Sequence, residues 1–311
     1  MQRSATETKF NLPSSVESFR FQGRGIYIKR DDLIDPDLSG NKFRKLYTLL
    51  DLPSQNYRRI ISYGGSQSNA MASIAALCRM KGWQFLYITK TLSQTLKKAP
   101  EANLKAALQD GMEILEIPHE DYRDVVASLY APRAESRINK NEKDLLLAQG
   151  GADLGAKEGI QLLADEISVW KEKQGIERLT LVTPSGTGTT SFFLAQSLPE
   201  VNVLTTAAVG SNSYLLEQMQ ALGDIPQNLK LLESSKKYHF AKPYKKFLTP
   251  YKQLLDQGIT IDLLYAPKMF ILLSEYLEQI EGEILYVHSG GVKGNVSMLK
   301  RYEHKGFLEV L

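Results

Sequence analysis

Ser39-Gly40-Asn41-Lys42-Phe43-Arg44-Lys45 and Gly64-Gly65-Ser66-Gln67-Ser68-Asn69 are the stretches whose reading decides the fold. The first places a lysine behind a Gly-Asn turn, at the start of a helix. The second follows an apolar run, Ile60-Ile61-Ser62-Tyr63, turns on its glycines and opens another helix with polar residues. Strand, glycine turn and helix in that order predict an α/β layer with parallel strands.

The same order recurs along the chain. Ile26-Tyr27-Ile28, Phe85-Leu86-Tyr87-Ile88, Leu179-Thr180-Leu181-Val182, Val201-Asn202-Val203-Leu204 and Ile284-Leu285-Tyr286-Val287 read as further strands. Glycine turns follow at Ser185-Gly186-Thr187-Gly188 and Ser289-Gly290-Gly291. Ligands of open parallel sheets collect at the carboxyl ends of the strands, so these turns are candidates for one shared site. The helix after Ser68 is predicted from Ala70 to Met80, with Ser68 or Asn69 as cap and Gly82 as a left-handed terminator. Ser235 to Lys252, rich in Lys and Tyr, reads as a long loop with some helix.

Composition narrows the function classes. The chain has 311 residues, of which 43% are hydrophobic and 23% charged. That is enough for one large or two medium domains. A net charge of +3 is too weak to imply nucleic acid or an acidic membrane surface. Cys78 is the only cysteine, so no internal disulfide forms and the cytoplasm is the expected compartment. Met1 to Glu7 lacks the apolar core of a secretory signal, and no apolar run is long enough to span a bilayer. His119, His239, His288 and His304 are scattered without ligand spacing, which argues against zinc.

The chemistry then rests on a few residues. Lys42 is an amine beside a turn that can approach an anion; made neutral by burial or by the cations Arg44 and Lys45, it could attack a carbonyl cofactor. Read alone, Lys42, Arg44 and Lys45 are also the solvated face of a helix. Ser66 to Asn69 can present N–H groups to a carboxylate, or simply cap a helix. Thr183-Pro184-Ser185-Gly186-Thr187-Gly188-Thr189-Thr190 is a plausible phosphate cup. It lacks the Gly-Lys-Ser/Thr of a nucleotide P-loop and the G-x-G-x-x-G of a dinucleotide site, so a phosphate monoester fits it better. Tyr244 and Tyr265 could hold a carboxylate or move a proton, though the chain has 15 tyrosines. Ser289 could face a cofactor ring nitrogen, and His288 beside it reads as a hydrogen-bonded core residue.

In this order, these words resemble the 1-aminocyclopropane-1-carboxylate deaminase and D-cysteine desulfhydrase family. Its members use pyridoxal 5'-phosphate (PLP) on a tryptophan-synthase-β-like, fold type II scaffold. The resemblance runs from about Asn11 to the C-terminus and is most specific at Ile28-Lys29-Arg30-Asp31-Asp32 and Gly40-Asn41-Lys42-Phe43-Arg44-Lys45-Leu46. It implies Lys42, next to Asn41, as the Schiff-base lysine and Asn69 facing the phenolic oxygen of the cofactor. Gln67 and Ser68 fall on the substrate carboxylate, Ser185 to Thr190 on the phosphate, and Tyr244 and Tyr265 on the active-site tyrosines. It also implies two open twisted parallel-sheet domains flanked by helices. The smaller spans 47–155; residues 1–46 plus 156–311 form the larger one, with the cofactor between them. A homodimer is implied as well.

Several positions depart from the family pattern. Ser39 begins the usual Gly-Gly-Asn-Lys, and Ala148-Gln149-Gly150-Gly151-Ala152 stands where the family has Pro-x-Gly-Gly-Ser. Ala266 stands where ring-opening deaminases carry glutamate, and Ser289 where they carry leucine. Desulfhydrases carry small hydroxyl residues at both places; Ser289 places the chain nearer that side, while Ala266 matches neither pattern. The expected reaction is β-elimination from a small amino acid, D-cysteine to pyruvate, ammonia and sulfide. The alternatives are cyclopropane-ring deamination, another D- or L-amino acid, a fold that binds without turnover, and nucleic-acid binding through Lys236-Lys237-Tyr238 and Lys242 to Lys246.

Overall fold

The computed structural model describes residues 9–38, 40–151 and 155–310; Ser39 and Ala152 lie outside them. The chain divides into two compact units, Met1–Tyr47 with Leu154–Leu311, and Thr48–Asp153. The first unit holds β1 (Val16–Phe21), β2 (Arg24–Lys29), β7 (Leu179–Val182), β8 (Asn202–Thr205), β9 (Leu229–Leu231) and β10 (Glu283–Val287). Its helices are the start of α1 (Asn41–Asp51), then α6 (Ala156–Lys173), α7 (Thr189–Ser197), α8 (Asn212–Gln220), α9 (Leu248–Leu255), α10 (Ala266–Tyr276) and α11 (Asn295–His304). The second unit holds β3 (Arg59–Tyr63), β4 (Gln84–Lys90), β5 (Met112–Ile117), β6 (Asp144–Leu146), α2 (Asn69–Lys81), α3 (Gln94–Lys98), α4 (Ala102–Gln109) and α5 (Tyr122–Ser128).

The sheet of the first unit has the order β1-β2-β10-β7-β8-β9. Its strands pair in parallel except at one edge, where β1 runs antiparallel to β2 with Phe19 opposite Ile26. This edge hairpin adds one antiparallel strand to an otherwise parallel sheet. Its turn, Gln22-Gly23, carries no strong strand-boundary signal, and β1 alternates exposed and buried residues over a polar sequence. Side chains alternate across the central strands. On β10, Ile284 and Tyr286 join the cluster built on α9 and α10, while Leu285 and Val287 join the one built on α6 and α7. Burial of both faces explains why these strands read as continuous apolar runs.

The second unit has a four-stranded parallel sheet, β5-β4-β3-β6. The short β6 and the amphipathic β5 carry too little apolar signal to be read from sequence. Ser68 caps α2 by accepting the Met71 N–H at 3.4 Å, and Gly82 ends it in the left-handed conformation with φ 70°. Between Ser235 and Lys252 the chain is irregular as far as Tyr244, then forms a short 3-10 turn and enters α9.

One ion-pair cluster fixes α1 in the first unit. Arg44 is fully buried. Its Nε and Nη2 donate to the Asp31 carboxylate at 3.0 and 2.8 Å, and its Nη1 and Nη2 to Glu166 of α6 at 2.8 and 2.9 Å. Lys29 adds an ion pair to Glu166 at 2.5 Å, and Ser14 Oγ donates to Asp31 at 2.6 Å. Burial pushes the Asp31 carboxyl up, but the Arg44 and Lys29 charges and the hydrogen bonds from Arg44 and Ser14 bring it below the usual carboxylate range. Two carboxylates balance two cations, which is what a buried network requires. Arg44→Met should therefore cost about 3–5 kcal/mol, read from chemical denaturation near neutral pH. The Asp31 contribution is present above about pH 4 and lost as pH falls through its depressed value. A loss under about 1 kcal/mol would contradict this arrangement.

Candidate active site

In the first unit, Gly40, Asn41 and Lys42 lead from the ion-pair cluster into α1. The Gly40 N–H donates to Asp31 O at 2.8 Å, and the Asn41 N–H to Ser289 O at 3.2 Å. Gly40 has φ 63°, and a Cβ there would lie 2.1 Å from Ser289 O. No other residue fits, so the Gly-Asn-Lys turn and the Ser289-Gly290 turn are locked together through backbone. Lys42 follows, and its Nζ donates to Asn41 Oδ1 at 2.8 Å.

Burial lowers the Lys42 amine to about 8, against a smaller raising effect from the Asp262 carboxylate. Of the two causes expected, burial and the cations Arg44 and Lys45, it is burial that acts. Arg44 is neutralised by Asp31 and Glu166, and Lys45 Nζ donates to Thr187 Oγ1 at 3.1 Å. Desolvation of the amine carries the effect.

The glycine loop between β7 and α7 is a cradle. Gly188 sits at φ 77°, and a Cβ there would meet Met219 Cε at 2.5 Å. Gly186 lies under Tyr265, whose ring edge would be 3.3 Å from an added Cβ. The helix α7 opens without a side-chain cap, so its first-turn N–H groups have no intrahelical acceptor. Thr190 Oγ1 is buried there and has no hydrogen-bond partner among the described residues. A buried hydroxyl is costly unless something bonds to it. Uncapped amides, that hydroxyl and Lys45 on Thr187 together fit a phosphate group. Ser185 does not contribute its hydroxyl as expected: its Oγ is held by Ser191 Oγ at 2.9 Å and Thr205 Oγ1 at 2.7 Å, tying the loop to β8. The hydroxyls of Thr187 and Thr189 bond each other at 3.0 Å.

Tyr265 enters α10 through Asp262, which sequence reading missed. The buried Asp262 carboxylate accepts the N–H groups of Leu264, Tyr265 and Ala266 at 2.9, 2.6 and 3.2 Å. An Asp ahead of a proline-containing first turn was the available signal. Burial, then the Asp262 charge, raises the Tyr265 phenol above its ordinary value, so it stays protonated at neutral pH. Tyr244 is differently placed: its hydroxyl accepts the His239 N–H at 2.9 Å and its ring packs on Tyr238 and Phe247.

Ser289 is half-buried at the end of β10. His288 is a core residue, as its position suggested. Its Nδ1 accepts the Gly290 N–H at 3.0 Å, so its Nε2 carries the proton donated to Thr260 O at 2.9 Å.

In the second unit, Gln67, Ser68 and Asn69 lie at the start of α2. Ser68 Oγ is the helix cap. Gln67 Oε1 is buried without a partner among the described residues, and its Nε2 donates to Glu101 O at 3.3 Å. Asn103, buried on α4, donates to Gln67 O at 3.0 Å and Asn69 Oδ1 at 2.7 Å. That bond fixes the Asn69 amide and leaves its Nδ2 as the donor. Among the described residues no helix is long and apolar enough to cross a membrane, and no acidic, His or Cys cluster could hold a metal.

A structure described as an ACC deaminase homologue aligns with 96% of this chain and 94% of its own, at TM-score 0.72 and 20% identity. A fungal L-serine ammonia-lyase from Rhizomucor miehei covers 90% of this chain and 93% of its own, at TM-score 0.63 and 11% identity. The fold is tryptophan-synthase-β-like. In sequence, a D-cysteine desulfhydrase of Serratia proteamaculans is 26% identical over 295 residues, covering 87% of this chain and 88% of its own. A Thermotoga maritima protein, provisionally named 1-aminocyclopropane-1-carboxylate deaminase, is 27% identical over 299 residues, 90% of this chain and 92% of its own. Homologues of this chain are thus named as aminocyclopropane-carboxylate deaminases and D-cysteine desulfhydrases. No family model matches the chain. The deaminase and desulfhydrase resemblance drawn from Gly40 to Leu46 extends over nearly the whole length.

A neutral Lys42 amine is predicted at mildly alkaline pH. An amine-reactive label applied to cofactor-free protein should modify Lys42 with a midpoint near pH 8. A midpoint above about pH 10, the value of an exposed lysine, would contradict its desolvation.

Proposed function

We propose that this protein is a PLP-dependent lyase that performs β-elimination on a small amino acid, with D-cysteine as substrate and pyruvate, ammonia and sulfide as products. The observation that carries the reading is a half-buried, easily deprotonated Lys42 in the same unit as a cradle fitted to a phosphate. Bound PLP supplies a carbonyl for the substrate amine and an electron sink for the α-carbon.

The residues of the chain divide the remaining work. The α7 amides and Thr190 hold the phosphate. Lys42, a free amine at mildly alkaline pH, would take the α-proton onto Nζ. Tyr265, kept protonated, donates to the substrate rather than acting as a base. Gln67 and Ser68 supply donors for the substrate carboxylate, and Asn69 Nδ2 a donor for the cofactor oxygen.

Two residues favour elimination over ring opening. Ala266 is fully buried in the apolar cluster, so no carboxylate comes from that position. Both oxygens of the neighbouring Asp262 are taken by α10 amides. Ser289 would offer the ring nitrogen a hydroxyl rather than a carboxylate, which would leave the sink weaker and suit loss of a leaving group.

Purified protein supplied with PLP should release sulfide and pyruvate from D-cysteine. Lys42→Ala should lower that rate by about 10²–10⁴-fold or more. Ketobutyrate release from the cyclopropane substrate, without sulfide from D-cysteine, would select the ring-opening alternative.

A further inference from the structure

The turn at 239–244 is unusually well tied for an exposed loop. The His239 N–H donates to Tyr244 OH at 2.9 Å, and the Lys242 N–H to His239 O at 3.2 Å. Arg301 of α11 donates to Ala241 O at 2.8 Å. Ala241 itself has φ 58°, a left-handed backbone that alanine adopts only under constraint. Lys242 Nζ lies 5.6 Å from the Tyr244 ring centroid.

The side chain that this turn presents is Phe240. It is 40% exposed, yet its ring lies 5.3 Å from that of Tyr265, tilted by 58°. Tyr265 in turn lies over Gly186 of the phosphate cradle. Cradle, tyrosine and phenyl therefore form one continuous series in the first unit. An exposed aromatic ring held this firmly beside a substrate-donating tyrosine has no structural need for its position; the apolar cores close without it.

We infer that Phe240 is the wall against which the β-substituent of the substrate packs, and that Tyr244 positions it rather than transferring a proton. This rests on the β-elimination reading above. A phenyl ring favours a polarisable, weakly hydrated group: a thiol above all, and a carbon-bound chlorine by the same reasoning. It gives nothing back to a hydroxyl for the water it loses. Phe240 thus sorts substrates by the chemistry of the leaving group.

The test compares cysteine, β-chloroalanine and serine, each in the enantiomer that is turned over. Each reaction consumes one water and yields pyruvate, ammonium and sulfide, chloride or water. Phe240→Ala should reduce the kcat/KM preference for cysteine over serine by about 3- to 10-fold, chiefly through KM for cysteine, and Phe240→Leu should restore part of it. Tyr244→Phe removes the acceptor of the His239 N–H and should lower the same preference without moving the pH profile. PLP affinity, measured by fluorescence titration, and the thermal midpoint should match the parent in the Phe240 variants. An unchanged preference in Phe240→Ala overturns the inference while leaving β-elimination standing. A shifted pH profile with unchanged preference in Tyr244→Phe overturns the positioning role. A parent protein that binds PLP yet eliminates from none of the three overturns the underlying reading, and this inference with it.

Discussion

The site of the first unit depends on a charge that never reaches it. Arg44 lies two residues beyond Lys42 on α1, and its guanidinium is wholly consumed by Asp31 and Glu166. That network binds the turn after β2 to α1 and α6. The Gly40 N–H reaches Asp31 O from the same turn, so the direction in which Lys42 leaves the helix is set from below. A buried guanidinium tolerates few geometries, because each unmade hydrogen bond would leave a desolvated charge. The specificity of the Lys-Arg-Asp-Asp and Asn-Lys-x-Arg words in the sequence reflects this requirement. Arg30 and Asp32 form a second pair at 2.8 Å beside it.

Burial then decides the chemistry. The Lys42 amine is deprotonated more easily because it is removed from water, and Tyr265 holds its proton for the same reason. One environment pushes an amine down and a phenol up, which separates a base from a donor. Asp262 opposes the first shift and adds to the second. Its carboxylate is raised by burial against the lowering effect of three α10 amides, and it sits where it can position Tyr265 without contacting solvent.

Much of this was legible in the sequence because it is carried by short local words. The central strands β7 and β10 are buried on both faces, and their apolar runs announced them. Ser68 and Gly82 bounded α2 through capping and left-handed geometry, which are properties of the residues themselves. The edge strand β1 and the short β6 and β9 were not legible, because pairing rather than composition makes them strands. Long-range partners were equally hidden. Nothing near Lys42 in sequence says that Arg44 is spent on Glu166, 122 residues away. Nothing near Ser185 says that its hydroxyl is bound to Thr205 instead of facing a ligand. Asp262 and Asn103 were passed over because each acts on neighbours' backbone and amide groups, which carry no signature of their own.

The proposed chemistry stands or falls with Lys42 as the amine that receives the cofactor carbonyl. Borohydride treatment of PLP-loaded protein, followed by mass mapping of its peptides, tests it most directly. A visible absorption band that disappears on reduction, and a pyridoxyl group recovered on Lys42, are the expected results. A pyridoxyl group on another lysine, or protein that takes up no PLP at all, would contradict it.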